Sequence, residues 1–334
     1  MRVRFLAYRR GWLAQTKLPV PVVVVGNVVV GGAGKTPTTV SIVQHLLSQG
    51  YRPGVVSRGH GRRTQYVGEP MVDVVEVHAD TPAYASGDEP ALIYQRTGVP
   101  VFVGRSRVKA SLALLAAHPD TTVLVCDDGL QHLALFADVA VAVFDERGVG
   151  NGRLLPAGLL REPWPKSVGR HVDVVLHVQP AHAPVSALPH PDHMPCFVAL
   201  KHLGHEATAW DGSILPLVDL PQSPPLTALA GIAKPQAFFD MLVRAGILVQ
   251  RTFSLADHEN FDEFIDSNEF KQLESHGLIC TEKDAVKLFP LLRQRALSSF
   301  TPKAWSVPLV LVPEPAFFQV LTERLSSKNG HKTV

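Results

Sequence analysis

The 334-residue chain lacks most of the features that mark specialised protein classes. It has only three cysteines, Cys126, Cys196 and Cys280, far apart, odd in number and without metal-ligand spacing. A disulfide framework and a cysteine zinc site are thereby excluded, and a reducing compartment fits. No run of about 18 apolar residues occurs, so no membrane-spanning helix is expected. The apolar run at 18–30 leads straight into a glycine loop, so no signal peptide is expected either. Excess charge is also missing. Thirty-two basic side chains against 30 acidic give a net +2, and bulk electrostatics therefore does not favour a nucleic-acid partner. Neither internal repeats nor coiled-coil heptads are visible. What remains, 46% hydrophobic and 19% charged, is an ordinary globular composition. Its length suits about two domains on a prior of roughly 100–200 residues each.

What is there is organised around Gly26–Pro37, Gly-Asn-Val-Val-Val-Gly-Gly-Ala-Gly-Lys-Thr-Pro. The β-branched run Val22–Val25 precedes it, and Thr38–Leu47 follows with helical spacing. Strand, glycine loop and helix N-terminus in that order make a phosphate cradle: backbone N–H groups turn inward and the helix dipole adds positive potential. Val29, Val30, Gly31, Gly32, Ala33, Gly34, Lys35 and Thr36 are expected to bind ATP, with Lys35 on the β/γ-phosphates and the Thr36 hydroxyl on Mg²⁺. The standard pattern places glycine six residues before the lysine; here that position is Val29. No clear Asn-Lys-x-Asp guanine motif is present, which favours ATP over GTP.

The second signal is Thr121–Asp128, a buried strand ending in two acids downstream of the glycine loop. This is the Walker-B arrangement, in which Asp127 or Asp128 holds Mg²⁺. Adjacent buried acids are costly unless a cation or basic neighbours offset them. Gln131 and His132 follow within one turn. Basic loops supply anion contacts: Arg58-Gly59-His60-Gly61-Arg62-Arg63 at a strand end, Arg105 at another, and the glycine- and proline-rich stretch 148–162 with Arg153 and Arg161. Asp88, just before Pro90, is placed to cap a helix. The serial strand–helix rhythm predicts an α/β fold, a P-loop NTPase-like, mainly parallel sheet flanked by helices, followed by a smaller C-terminal α/β domain. Phe197–Leu200 and Trp210–Leu217 read as a small antiparallel ribbon about the Asp211-Gly212 turn.

Taken together, these pieces resemble the tetraacyldisaccharide 4′-kinase family, which phosphorylates the lipid A precursor. The resemblance rests on the glycine loop from Gly26-Asn27, Ser57–Arg62, Gly87-Asp88-Glu89-Pro90, Asp127–His132, Gly152–Gly158 with Leu160-Arg161-Glu162, Asp257-His258 with Phe261, and Thr281–Lys287. It implies transfer of the ATP γ-phosphoryl group to the 4′-hydroxyl of a tetraacylated glucosamine disaccharide 1-phosphate, with Mg²⁺. It implies Asp88 as the base, assisted by His258. Lys35, Asp127 and Asp128 complete the catalytic set. Substrate or phosphate contacts fall on Asn27, Arg58, Arg62, Glu89, Arg105, Gln131, His132, Arg153, Arg161 and Glu162. The family usually carries a longer, more hydrophobic membrane-docking segment than the 25 residues that precede Gly26 here.

The expected division is a basic, membrane-docking segment at 1–19, a P-loop kinase domain at 20–220 that includes the ribbon, a smaller α/β domain at 221–325 and a loose tail at 326–334. Arg2, Arg4, Arg9, Arg10 and Lys17, mixed with Phe5, Leu6, Tyr8, Trp12 and Leu13, suit peripheral contact with an anionic membrane surface, on the cytoplasmic face of the inner membrane. The lipid A disaccharide precursor is the expected partner; no nucleic acid and no obligate protein partner is. Two other readings stand beside this one: a soluble kinase of a small sugar, and a nucleotide-switched P-loop ATPase or GTPase acting as a partner protein.

Overall fold

The computed structural model describes every residue except 1–6, 9, 63–72, 166–169, 182–193, 221–225, 257–260, 269, 271–276, 297–302 and 330–334. His258, the proline cluster 221–225 and the basic residues Arg2, Arg4, Arg9 and Arg63 therefore lie outside the described residues.

Valine-rich runs too apolar to leave one face in water build the first sheet. Its strands are β1 (Val22–Gly26), β2 (Pro53–Ser57), β3 (Val74–Val77), β4 (Val101–Gly104), β5 (Val123–Cys126), β6 (Val139–Phe144), β7 (Val174–Pro180), β8 (Cys196–Leu203) and, much later, β15 (Leu309–Pro313). Their spatial order is β15-β8-β7-β6-β1-β5-β2-β4-β3. Only the edge strands β3 and β15 run antiparallel to their neighbours. The connections are α1 (Lys35–Ser48), the single turn α2 (Ala83–Ser86), α3 (Asp88–Thr97) and α4 (Arg107–Ala117). Strand alternation sorts the side chains into two layers. Val23 and Val25 pack with Ile42 and Leu46 of α1 and Ile93 of α3. Val22 and Val24 pack with Leu114 of α4, Leu130 and Leu160.

The second sheet has the order β10-β9-β14-β13-β11-β12. It comprises β9 (Glu206–Ala209), β10 (Ile214–Pro216), β11 (Leu226–Ala230), β12 (Val249–Ser254), β13 (Gly277–Thr281) and β14 (Ala304–Val307). Helices α5 (Pro235–Arg244), α6 (Phe261–Asp266) and α7 (Glu282–Ala296) accompany it. Two short segments join the sheets, and they touch: the Gly204 amide donates to the Pro308 carbonyl at 2.8 Å. Finally α8 (Pro315–Asn329) returns to the first sheet, where Phe317, Leu321 and Leu325 are fully buried.

Three expectations change. Phe197–Leu200 is not half of a ribbon but part of β8, parallel to β7 and antiparallel to β15. The ribbon is instead β9–β10, and its antiparallel pairing to β14 makes it part of the second sheet. Residues 326–329 of the expected tail close α8, whose buried Phe317, Leu321 and Leu325 fill the first sheet's helical layer, and 330–334 lie outside the described residues.

For the site, the decisive feature is that β1 lies between β5 and β6. Their C-terminal ends open side by side, where parallel sheets place ligands.

Candidate active site

After β1 the chain does not turn at once. The Val30 amide donates to the Leu159 carbonyl at 2.9 Å, and the Arg161 amide donates to the Val28 carbonyl at 2.7 Å. Residues 28–30 are thus extended and paired with 159–161, with Val29 fully buried opposite Leu160. An extended, buried position has no need of glycine, which is why valine can stand there. The turn comes later. Gly34 caps α1 at φ 84°, a left-handed conformation that favours glycine. The first turn of α1 carries no acid of its own, which leaves its N-terminal amides and dipole suited to an anion. From the β6 side Arg147 braces the loop: its Nη2 donates to the Val30 carbonyl at 3.1 Å, and its Nε donates to Asp145 at 2.9 Å.

On the β5 side, Asp127 is fully buried, and its Oδ1 accepts from the Thr39 hydroxyl at 2.8 Å. Burial, then the charges of Glu89 and Asp128, push its carboxyl up to about 7, against the Thr39 hydroxyl and Lys35. Its Oδ2 is buried without a hydrogen-bond partner. An orphaned carboxylate oxygen beside Glu89 and Asp128, at the N-terminus of α1, has a place for a cation. That donor set, with the Thr36 hydroxyl on the first turn, fits Mg²⁺. Asp128 has φ 49°, the one non-glycine among the described residues at positive φ. Buried Arg107 holds it there, its Nη2 donating to the Asp128 carbonyl at 3.0 Å. Its carboxylate then lies 3.6 Å from the Lys35 ammonium and 3.9 Å from the Arg161 guanidinium. Cys126 next door takes no part, since burial pushes its thiol up to about 11.

Asp88 opens α3 beside Glu89, within reach of Lys283. Gly87 at φ 93° lies so close to the Ser57–Arg62 loop that a Cβ there would sit 2.9 Å from the His60 carbonyl oxygen. Two glycine motifs far apart in sequence are thereby packed face to face. Asp88 is 4% exposed and is the first residue of α3 rather than its cap, which is Gly87. Its Oδ1 accepts the Glu89 amide at 3.0 Å, and its Oδ2 lies 3.8 Å from Lys283 and 3.6 Å from Lys287, both on α7. A cleft of about 360 Å³ is lined by Gly31–Thr36, Glu89, Asp128, Arg161 and Lys283. Ile232, Phe238, Met241 and Leu309 add an apolar wall.

The remaining sequence candidates divide. Asn27, Gln131 and Glu162 form a polar network behind the loop, in which the Gln131 amide donates at 2.9 Å to both the Asn27 carbonyl and the Glu162 carboxylate. The Asn27 amide in turn donates to the Gly31 carbonyl at 3.4 Å. The His132 carbonyl accepts from Arg170 at 2.9 Å, which anchors the turn after Asp128. Arg62 turns away and donates to the Asp73 carbonyl at 3.0 Å, and burial lowers its guanidinium from its usual value. Arg105 lies near that pair, and Arg58 and Arg153 are exposed. Sequence reasoning misses Thr39, Arg107, Arg147 and the Lys234 ammonium, which bonds Asp145 at 2.9 Å and also meets Glu146. None carries a motif signal of its own. Lys283 and Lys287 lie inside the Thr281–Lys287 motif, at helical i, i+4 spacing that puts both on one face.

Comparison with known proteins adds the following. Residues 1–326 match the family described as LpxK, tetraacyldisaccharide-1-P 4′-kinase. The tetraacyldisaccharide 4′-kinase of Polaromonas naphthalenivorans (strain CJ2) is 47% identical over 342 residues, covering 100% of this chain and 91% of that one. The tetraacyldisaccharide 4′-kinase of Acidovorax sp. (strain JS42) is 47% identical over 331 residues, covering 98% and 88%. The crystal structure of LpxK from Aquifex aeolicus in complex with ATP superposes with a TM-score of 0.75 over 97% of this chain and 94% of that one, at 24% identity. That last likeness bears on the fold, an α/β P-loop kinase architecture.

Proposed function

The chain belongs to the tetraacyldisaccharide-1-P 4′-kinase family, and from that premise we propose how its residues divide the work. It is an ATP-dependent kinase of the tetraacylated disaccharide 1-phosphate that precedes lipid A, phosphorylating the 4′-hydroxyl. In this proposal the amides of Gly31–Thr36 and the N-terminus of α1 hold the ATP phosphates, and the apolar wall around Phe238 and Met241 takes the adenine. Lys35 and Arg161 offset charge on the transferred group. Thr36, Asp127 and Asp128 hold Mg²⁺, which when bound supplies further neutralisation of the phosphates.

Asp88 accepts the proton of the sugar hydroxyl. A carboxylate suffices because the transition state of phosphoryl transfer is loose and little proton transfer is needed early. His258, carried over from the family motif, assists it. The observation that favours this division is the convergence of Lys35, Asp128, Glu89 and Lys283 on one cleft, with the Asp88 carboxylate 3.8 Å from Lys283. Arg58 and Arg153, both exposed, are assigned to the substrate phosphate. Peripheral membrane contact falls on the segment around Trp12, which is 70% exposed beneath the Arg10 guanidinium at 5.3 Å, and Leu13. Among the described residues no helix is long and apolar enough to cross a membrane. The cytoplasmic face of the inner membrane is the location this contact implies.

The test offers radiolabelled ATP with the acylated disaccharide 1-phosphate in detergent, beside a soluble deacylated analogue. Label transferred to the acylated compound, and cut by Asp88→Asn to a small residual rate, is expected. Transfer to the deacylated analogue alone would refute the substrate assignment, and an active Asp88→Asn would refute the base.

A further inference from the structure

The Thr281–Lys287 motif has no part in the chemistry proposed so far beyond lining the cleft, yet its residues are unusually constrained. Asp284 is fully buried and accepts the Gly231 amide on both oxygens at 3.1 Å and the Thr281 hydroxyl at 2.7 Å. This cap fixes the N-terminus of α7 to the ends of β11 and β13. Glu282 then accepts from Arg96 of α3 at 3.1 and 3.2 Å, locking α7 against the helix that begins with Asp88. Lys287 lies 4.8 Å over the ring of buried Phe261. With the helix pinned in these ways, Lys283 and Lys287 are aimed at one carboxylate oxygen, Asp88 Oδ2, and Lys283 also lies 3.9 Å from Glu89.

We propose that Lys283 and Lys287 are positioning residues for the base: two ammonium groups from the second sheet's helix hold the Asp88 carboxylate in the orientation that receives the sugar hydroxyl. The inference rests on Asp88 being that base. The physical need is plain. Asp88 is nearly buried, next to Glu89, behind a cleft that Glu89 and Asp128 line and that must admit a triphosphate. In such surroundings the orientation of a carboxylate follows the positive charges fixed nearest to it. Both lysines are only 16% exposed on their side chains, so their field is little screened by water. At 3.6–3.8 Å they steer by charge without occupying a hydrogen-bonding position on Oδ2. The base is on one sheet's helix and its orienting charges on the other's, so the acceptor geometry is complete only when α3 and α7 are docked.

The experiment is a double-mutant cycle in the radiolabel assay with the full chain. K287M and K283M are each expected to lower kcat at least tenfold with KM for ATP within twofold, and K287R to recover most of the loss. In a D88N background, K287M is expected to change the residual single-turnover rate less than twofold, because the group it orients is gone. K287M within twofold of the parent, or the same factor lost in both backgrounds, would overturn the inference. If K287M fails to fold by its melting curve, the same cycle on K283M decides. D88N that remains active overturns the base assignment instead, whatever the lysines do.

Discussion

Asp127 sets function against stability, and replacing it separates the two. Its carboxyl sits at about 7 in the fold because burial and the acids Glu89 and Asp128 oppose its charge. In the unfolded chain it returns to about 3.9. The folded value is the higher one, so the metal-free fold binds this proton more tightly than the unfolded chain does. Its contribution to stability is intact below about pH 4, declines as pH rises from about 4 to about 7, and is fully lost above that. Some three pK units at about 1.4 kcal/mol each give a cost of up to about 4 kcal/mol above pH 7, and about 1 kcal/mol at pH 4.5. Asp127→Asn keeps the shape and an acceptor for the Thr39 hydroxyl but has no charge to bury. In EDTA at pH 8 the variant should therefore melt several degrees above the parent, and the gap should shrink toward pH 4.5. With Mg²⁺ and ATP the order reverses: the parent is stabilised, the variant is not, and phosphoryl transfer by the variant is lost. Melting curves in the two buffers at both pH values test this. A variant that melts below the parent at pH 8 in EDTA, or a gap that ignores pH, would refute the reasoning.

Two further outcomes follow from the loop and its supports. Val29→Gly restores the usual P-loop pattern, yet should cost about 3 kcal/mol, since it empties a buried valine site and loosens an extended backbone. Denaturant unfolding and ATP titration check it, and tighter ATP binding by the variant would contradict the structural account of that position. Arg107→Met removes the donor that holds the Asp128 carbonyl in its left-handed conformation. It should raise the Mg²⁺ concentration needed for half-maximal activity by about tenfold, a cost of roughly 1.4 kcal/mol, near the low end for a lost charged hydrogen bond. An unchanged Mg²⁺ titration would show that Asp128 does not depend on this arginine.

Much of the fold and of the site is legible in the order of the residues. Val22–Val25 followed by Gly31–Thr36 announces a strand, a turn that needs glycine and a helix N-terminus, and each follows from local stereochemistry. Val123–Asp128 reads the same way, because an apolar run ending in acids has few other uses. Contacts with no local signature are not legible. Arg107 looks like any basic residue in a helix's first turn, and only the return of β5 beside β2 puts the Asp128 carbonyl within its reach. Val29 reads as a fault in the loop until Leu160, 131 residues further on, pairs with it. The ribbon falls in the wrong place on sequence grounds because alternation marks a strand without naming its partner.

Residue types at short, fixed spacings along the chain carry most of the elements, the strand–glycine-loop–helix order and the family resemblance. Which of these elements meet is set by the three-dimensional packing. It set the two glycine motifs at Gly59 and Gly87 against each other, returned α8 to the first sheet, and brought two lysines of α7 to the carboxylate of Asp88. Those are long-range encounters, fixed by sheet order and packing, and the energy of burying apolar faces that selects them carries no local mark in the chain.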